Sequence, residues 1–544
     1  MAKKRKYIFV VGGVMSGVGK GVSASSIGTI MKSKGFKVTA LKIDPYINID
    51  AGTMNPTEHG EVFVLRDGDE CDQDMGNYER FFNMSLTRNN YMTTGRVYQE
   101  VIRKERNLEY KGKNVEVVPD IPREVNRRIK NAAHDADADV TIVEVGGTIG
   151  EYQNIIFLEA ARMLKIEHPR DVAFVMVSYL PTPSTVGEMK TKPTQYAART
   201  LNGAGIQADV IIARSGVSLD DKRKEKIAVF CNVLAKNIIS APDADSIYDI
   251  PVNFEKDHLG DHLSEILGLP KRKTDLSEWM EFVNKKKNAK KELNIAVVGK
   301  YFDSGDFVLS DVYISVIEAV KISSYYAGAK PKLSFLNSKD FEKDKSKLSV
   351  LKDYDGVIVP GGFGESGVDG IVETIKFVRE NKIPYLGICY GMQLMVIEYA
   401  RNILGWKDAN TREINPKSSK LVVDIMHDQK QKLEASDYGN SMRLGDYTAV
   451  LKEGSIVRKA YGEEEIVERH RHRYEVNPLY VEELEAKGLI FSGKSKDGTL
   501  CEIAELSQSE HPFFVGVQFH PEFLARPLAP HKLFSAFVKA GLNK

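Results

Sequence analysis

Two stretches far apart in the chain carry side chains whose types and spacing suit chemistry. YLGICYGMQLMVIEYA sets Cys389 on a predicted strand-to-helix turn between Gly387 and Gly391. Such a turn exposes the sulfur and aims a helix N-terminus at it, which favours the nucleophilic thiolate over an inert buried thiol. Downstream, VGVQFHPEF holds His520 and Glu522 two residues apart around Pro521. An extended backbone there sends both side chains to one face. The imidazole can then take the thiol proton while the carboxylate orients the ring. Upstream, PGGFGESG at 360–367 has glycines whose N–H groups can form an oxyanion hole with the N–H of Tyr390. The combination points to a thiol amidohydrolase of the glutaminase type.

The second stretch, VVGGVMSGVGKGVSASSIGTIMKSKG, puts a glycine-rich turn between a predicted strand and a helix, with Lys20 at the helix start. Backbone N–H groups, a helix N-terminus and a lysine together suit phosphate. The strict phosphate-loop pattern is not met. Val14 stands where its first glycine would be, and Gly21 where its Ser or Thr would be, leaving Ser16 or Ser23 to supply a hydroxyl. Holding Mg²⁺ then falls to carboxylates elsewhere. RDGDECDQDMG offers Asp67, Asp69, Asp72 and Asp74, which could equally be a solvated acidic turn. Glu144 closes the apolar strand VTIVEVGG, at the edge where nucleotide sites of open α/β sheets lie. MKTKPTQ, from Met189 to Gln195, gathers two lysines, two threonines and an amide around Pro193. It could hold a second polyphosphate, or be a surface loop.

These residues need two scaffolds. In the first half, YIFVVGG, KVTALKID, VTIVEVGG, VAFVMVSYL and ADVIIARS alternate with helix-length segments, which predicts a mostly parallel sheet with helices on both faces. A second α/β pattern begins at LNIAVVGKY and runs through YDGVIVPGG, IPYLGICYG and HPFFVGVQFHPEF. Between them, KRKTDLSEWMEFVNKKKNAKKELN reads as a charged helical linker. The expected division is a first domain over 1–270, a linker over 271–293 and a second domain over 294–544. The 544-residue length allows two to four domains. With 42% hydrophobic residues, 28% charged residues and a net charge of +1, the chain reads as an ordinary soluble protein. Neither nucleic acid nor a membrane is indicated as partner. The opening MAKKRKYIFVVGG reads as a first strand, since Gly12 and Gly13 cut it short of a signal-peptide core. Four scattered cysteines suit a reducing cytoplasm and do not suggest thiol-bound metal.

With both sites in view, the chain resembles the CTP synthase family over essentially its full length. The segments that carry the resemblance are SGVGKG, KIDPYINIDAGTMNPTEHGEVFVL, NYERF, MTTGRVY, EVGGTIG, KTKPTQ, VPGGFG, GICYGMQ, MRLG, VERHRHRYEVN and QFHPEF. PGGFG, GICYGMQ and QFHPE alone would indicate only a class I glutamine amidotransferase. The resemblance implies an α/β chain of two domains, the first like P-loop and dethiobiotin-synthetase folds, the second like class I glutamine amidotransferases. It implies amination of UTP to CTP through a 4-phosphorylated intermediate, with ammonia channelled from glutamine, as the last step of de novo pyrimidine nucleotide synthesis.

Residue by residue, the resemblance implies ATP at Gly17, Val18, Gly19, Lys20, Gly21 and Val22, with Lys20 and Lys42 at the transferring phosphate. Mg²⁺ would sit on Asp74 and Glu144, and adenine near Arg214 and the DADSIY segment with Ala244. UTP, and CTP as feedback inhibitor, would contact Ser16, Glu151, Tyr152, Gln153, Lys190, Thr191, Lys192, Pro193, Thr194, Gln195 and Lys226. Glutamine would contact Gly362, Tyr390, Gly391, Met392, Gln393, Glu413 and Arg473 around Cys389, His520 and Glu522. His59 resembles a channel gate. GTP as activator and a cytoplasmic homotetramer, with filaments as a further state, are implied in the same way. The family's leucine after the nucleophile is Tyr390 here. Asn114, Glu116, Asp120 and the bulky Tyr152 also depart, in stretches tied to GTP activation and CTP inhibition. An amidoligase acting on a corrin side chain, and a binding protein with relic sites, are the rival readings; Lys20, Cys389 and His520 all stand against the second.

Overall fold

The run KYIFVVG is β-branched and aromatic, and the strand it forms, Lys6–Gly12, is buried at every residue, as a strand covered on both faces should be. In the computed structural model, residues 4–55, 60–185, 187–300, 310–425 and 442–544 are described. His59 lies outside them. The chain divides into two compact units, one of residues 1–51 and 74–283, the other of residues 52–73 and 284–544.

The first unit is built on a seven-stranded sheet in the order Tyr91–Thr93, Val38–Asp44, Val140–Val145, Lys6–Gly12, Val172–Tyr179, Val210–Ser215, Ile238–Pro242. Every pairing is parallel. The order reverses beside Lys6–Gly12, and the glycine turn leaves that strand at its carboxyl end to enter the helix Lys20–Ser33. Such a reversal is where open α/β sheets form their ligand crevice.

The second unit has a nine-stranded sheet in the order Ala329–Asn337, Lys291–Gly299, Gly356–Val359, Tyr385–Ile388, Phe514–Val517, Cys501–Glu505, Ile490–Ser495, Arg443–Leu451, Glu465–His472. Its first five strands pair in parallel. The rest add on antiparallel. Cys389 follows a central parallel strand, and His520 follows the neighbouring one.

The linker stretch forms the helix expected of it, and one boundary differs from the sequence expectation. The linker is in large part the helix Ser277–Asn288, which buries Trp279, Phe282 and Val283. The Trp279 ring lies tilted against Phe81, 5.1 Å between centres, and its indole N–H donates to the Tyr248 carbonyl at 2.8 Å. Trp279→Ala is expected to cost about 3–5 kcal/mol, read as a lowered melting transition in calorimetry. The difference is the hairpin of Val62–Val64 and Glu70–Asp72, which belongs to the second unit although its sequence lies in the first half. Phe63 packs edge-on against Phe523, Arg471 pairs with Glu70 at 2.8 Å, and Arg469 donates to the Val64 carbonyl at 3.0 Å.

Candidate active site

Cys389 sits between the strand Tyr385–Ile388 and the helix Tyr390–Asn402, with φ 52° and ψ −98°. A non-glycine residue there is strained, and the strain turns its side chain out at the head of a helix. Its Sγ lies 3.6 Å from the Gln518 amide nitrogen and 3.7 Å from the Arg471 carbonyl. His520 Nδ1 is 2.7 Å from Glu522 Oε1. His520 Nε2 is buried without a conventional hydrogen-bond partner and meets Cys389 electrostatically. Burial opposes a charged ring, but Glu522 and Cys389 outweigh it and push His520 up to about 10. The ring is therefore fitted to hold a proton taken from the thiol.

The backbone between His520 and Glu522 is not extended. Pro521–Leu524 forms a 3-10 turn, because Pro521 at its first position fixes the φ that such a turn needs. The two side chains meet through that turn instead. Gly361 lies so near the ring that a Cβ would stand 2.8 Å from His520 Cε1, which excludes any side chain there.

A cavity of about 510 Å³, the size of a small-molecule site, is lined by Cys389, Gly362, Gln393, Glu413 and Arg473. Glu413 accepts from the Gly364 N–H at 2.8 Å. Burial raises its carboxyl above the ordinary range, against the pull of that N–H, Lys300 and Arg473. Met392 is not part of the lining; its side chain is fully buried in the core. Gly391 packs against the Val359 carbonyl. Tyr390 is buried with its hydroxyl on the Gly364 carbonyl at 2.8 Å.

In the first unit, Lys42 Nζ contacts Asp74 at 2.6 Å, Glu144 at 2.8 Å and Asp44 at 3.8 Å. Tyr78 donates a short hydrogen bond to Glu144. Burial alone would raise Asp74, but Lys42 and Asn77 hold its carboxyl below the ordinary value. Asp44 goes the other way, raised to about 6 by burial despite Lys42, and its Oδ2 is buried without a hydrogen-bond partner. Lys20 lies against Gly12, and burial holds it below its ordinary value although Glu144 opposes this. Gly21 is explained by Asp74: a Cβ would stand 2.2 Å from its Oδ1, so the hydroxyl residue of the strict pattern has no room. Val14 takes the positive φ, 82°, that the strict pattern's glycine would take.

Among the described residues, no group of three His, Cys, Asp or Glu side chains has metal-ligand spacing. Asp74 and Glu144 nevertheless converge through one ammonium, and two hard oxygen ligands completed by substrate phosphates are what Mg²⁺ usually takes. The donor set fits. The aspartate run is divided between the units: Asp74 begins the first-unit helix Asp74–Phe82, while Asp67, Asp69 and Asp72 belong to the second-unit hairpin segment.

The remaining expected residues spread around the first sheet. Arg214 lies beside Gly19 and pairs with Asp243 at 2.9 Å, next to Ala244. Ser16 is exposed in the glycine turn, ahead of Gly17, Val18 and Val22. Thr191 immediately precedes the helix Lys192–Gly203, with Pro193 in its first turn. Thr194 is buried on Ser178 at 2.8 Å, and Gln195 bonds back to Thr191 at 3.1 Å. Lys190 pairs with Glu188, toward which Lys226 also acts. Lys192 rides over Phe230 at 5.4 Å. Glu151 accepts from the Thr148 N–H and from Gln153, while Tyr152 is 97% exposed. Asp44, Tyr78, Lys300 and Gln518 were not singled out from sequence. Asp44 ends a strand as Glu144 does, and that position was the available signal.

Comparison with known proteins decides the family. Residues 6–269 match the model of the CTP synthase N-terminus, and residues 308–540 that of class-I glutamine amidotransferases. A CTP synthase of Thermococcus gammatolerans is 48% identical over 541 residues, 99% of this chain and 99% of its own. The chain belongs to the CTP synthase family. A second CTP synthase, from Methanocaldococcus jannaschii, is 46% identical over 552 residues, covering 100% of this chain and 99% of its own. The solved glutaminase domain of the Trypanosoma brucei enzyme with bound acivicin is 36% identical, with TM-score 0.43 over 46% of this chain and 94% of that one. As a family member, the chain is a glutamine-dependent carbon–nitrogen ligase forming CTP. No helix of the described residues is long and apolar enough to cross a membrane.

Proposed function

We propose that this protein uses ATP to activate UTP at O4 and replaces that oxygen with ammonia cut from glutamine at Cys389. The observation that carries the reading is a double one. Cys389, His520 and Glu522 gather at one cavity of the second unit, while Lys20, Asp74 and Glu144 gather about Lys42 in the first.

In the second unit, His520, which Glu522 holds at Nδ1, takes the proton of Cys389, and the sulfur then attacks the amide carbon of glutamine. N–H groups of Tyr390 and the glycine turn receive the oxyanion. His520 returns the proton to the leaving nitrogen, and water then cleaves the thioester to give glutamate. Glu413 and Arg473, both lining the cavity, suit the charged ends of an amino acid.

In the first unit, the γ-phosphoryl group passes from ATP to the O4 oxygen of UTP and ADP departs. Phosphorylation is needed because a bare ring oxygen is a poor leaving group. Lys20 takes up charge on the transferring group. Mg²⁺, when held by Asp74 and Glu144, would supply neutralisation of phosphate charge. Ammonia then adds at C4, inorganic phosphate leaves, and loss of a proton gives CTP. Direct passage of ammonia between the sites, UTP and CTP at Ser16, Glu151–Gln153, Lys190–Gln195 and Lys226, GTP as activator, a homotetramer and a cytoplasmic location belong to the same reading, on the strength of the family resemblance.

The test is CTP formation by the purified protein with ATP, Mg²⁺ and UTP, supplied with glutamine in one arm and ammonium in the other. Product is expected in both. ATP hydrolysis with product in neither would mean a different acceptor.

A further inference from the structure

The residue after the nucleophile usually matters through its backbone. Here its side chain is also built into the site. The Tyr390 hydroxyl donates to the Gly364 carbonyl at 2.8 Å. Lys300 donates to the same oxygen, and its ammonium stands 4.5 Å from the centre of the Tyr390 ring. The other side of Gly364 is held as well, its N–H donating to Glu413 at 2.8 Å. Gly364 thus has both its polar backbone groups fixed by side chains from three separate segments. Gly361, Gly362 and Phe363, which precede it, line the small pocket that also contains Cys389 and His520.

We propose that Tyr390 is a positioning residue whose hydroxyl, together with Lys300, clamps the Gly364 carbonyl and so fixes the glycine turn against Cys389 for glutamine hydrolysis. An aliphatic residue in its place would supply neither the hydroxyl nor a ring face for the ammonium. The inference rests on the reading of Cys389 as the glutaminase nucleophile. It adds that one side chain couples the start of the nucleophile's helix to the turn that completes the oxyanion site.

The two donors differ in how they respond to pH. Burial lowers Lys300 to about 8, although Glu413 opposes the shift; Glu413 in turn faces Arg473. Below pH 8 the carbonyl has an ammonium and a phenol as donors. Above it the ammonium becomes a neutral, weaker donor and the phenol carries more of the clamp.

Glutamine hydrolysis by the full-length protein, followed as glutamate released, tests this in wild type, Cys389→Ala, Tyr390→Phe, Tyr390→Leu and Lys300→Met. Hydrolysis by wild type and none by Cys389→Ala would secure the underlying reading; no hydrolysis by wild type would overturn that reading and the clamp with it. Given that control, Tyr390→Phe keeps the buried ring and is expected to lower kcat roughly five- to tenfold, the effect of one lost hydrogen bond. KM for glutamine should move less than about twofold, because Glu413 retains its own partners. The ratio of wild type to Tyr390→Phe should be larger at pH 9 than at pH 7, and Lys300→Met should abolish that pH dependence. Wild-type turnover in Tyr390→Phe, with loss only in Tyr390→Leu, would assign the role to ring packing and refute the clamp. A ratio constant with pH would refute the shared role of Lys300.

Discussion

Cys389→Ala is expected to form no CTP from glutamine while still forming it from ammonium. The nucleophile of a triad cannot be replaced by its neighbours, so glutamine hydrolysis should fall by a factor on the order of 10⁴ or more. The loss should not spread. Alanine keeps the Cβ and so the strained elbow, and the lost sulfur leaves only a small gap beside the Arg471 carbonyl, the Gln518 amide and His520. Removing it leaves His520 held by Glu522 at 2.7 Å. The ammonium-driven rate, set by residues of the first unit, should stay within about twofold of wild type, a difference no larger than ordinary surface changes produce. Loss of both routes together would mean that Cys389 serves the chemistry at UTP itself, and the two-site reading would fall.

Much of this site was legible in the sequence because its geometry is local. Cys389 on a glycine-flanked elbow, and His520 two residues from Glu522, need only a strand, a turn and a helix to be positioned, and each has a residue pattern. Even there the backbone was misjudged: periodicity pointed to an extended segment, and Pro521 makes a 3-10 turn. The acidic run was harder. Asp67 to Asp74 reads as one cluster along the chain, yet its members go to different units, because the short strands at 62–72 pair with each other and dock by Phe63, Arg469 and Arg471. Nothing in a three-residue strand announces its partner. The helix at 277–288 lies within the stretch read as a helical linker, and Trp279, Phe282 and Val283 are the residues that anchor it. Gly21 is the reverse case. It looked like a defect in a phosphate loop, and the close approach of Asp74 makes it a requirement.

Lys20→Ala is expected to abolish CTP formation from glutamine and from ammonium alike, while Lys42→Ala is expected to lose the fold first. The two lysines differ in what surrounds them. Lys42 is almost wholly buried and has three carboxylates on it, Asp74, Glu144 and Asp44. Its removal leaves buried like charges uncompensated, which costs about 3–5 kcal/mol and should appear as a large drop in melting temperature. Among the described residues Lys20 makes no ion pair; its stem rests on Gly12 and it only senses Glu144 and Asp74 from a distance. It is therefore the cation free to meet a phosphate, and a strong charge-assisted contact made at the transferring group is worth on the order of a thousandfold in rate. Alanine should leave melting within a few degrees of wild type, since the change breaks no ion pair and removes a charge that burial disfavours. Absorbance monitoring of CTP formation with each nitrogen source, beside calorimetry of both variants, separates the cases. Survival of either route in Lys20→Ala would remove Lys20 from phosphoryl transfer and shift that role to another cation, with Lys42 the first to test.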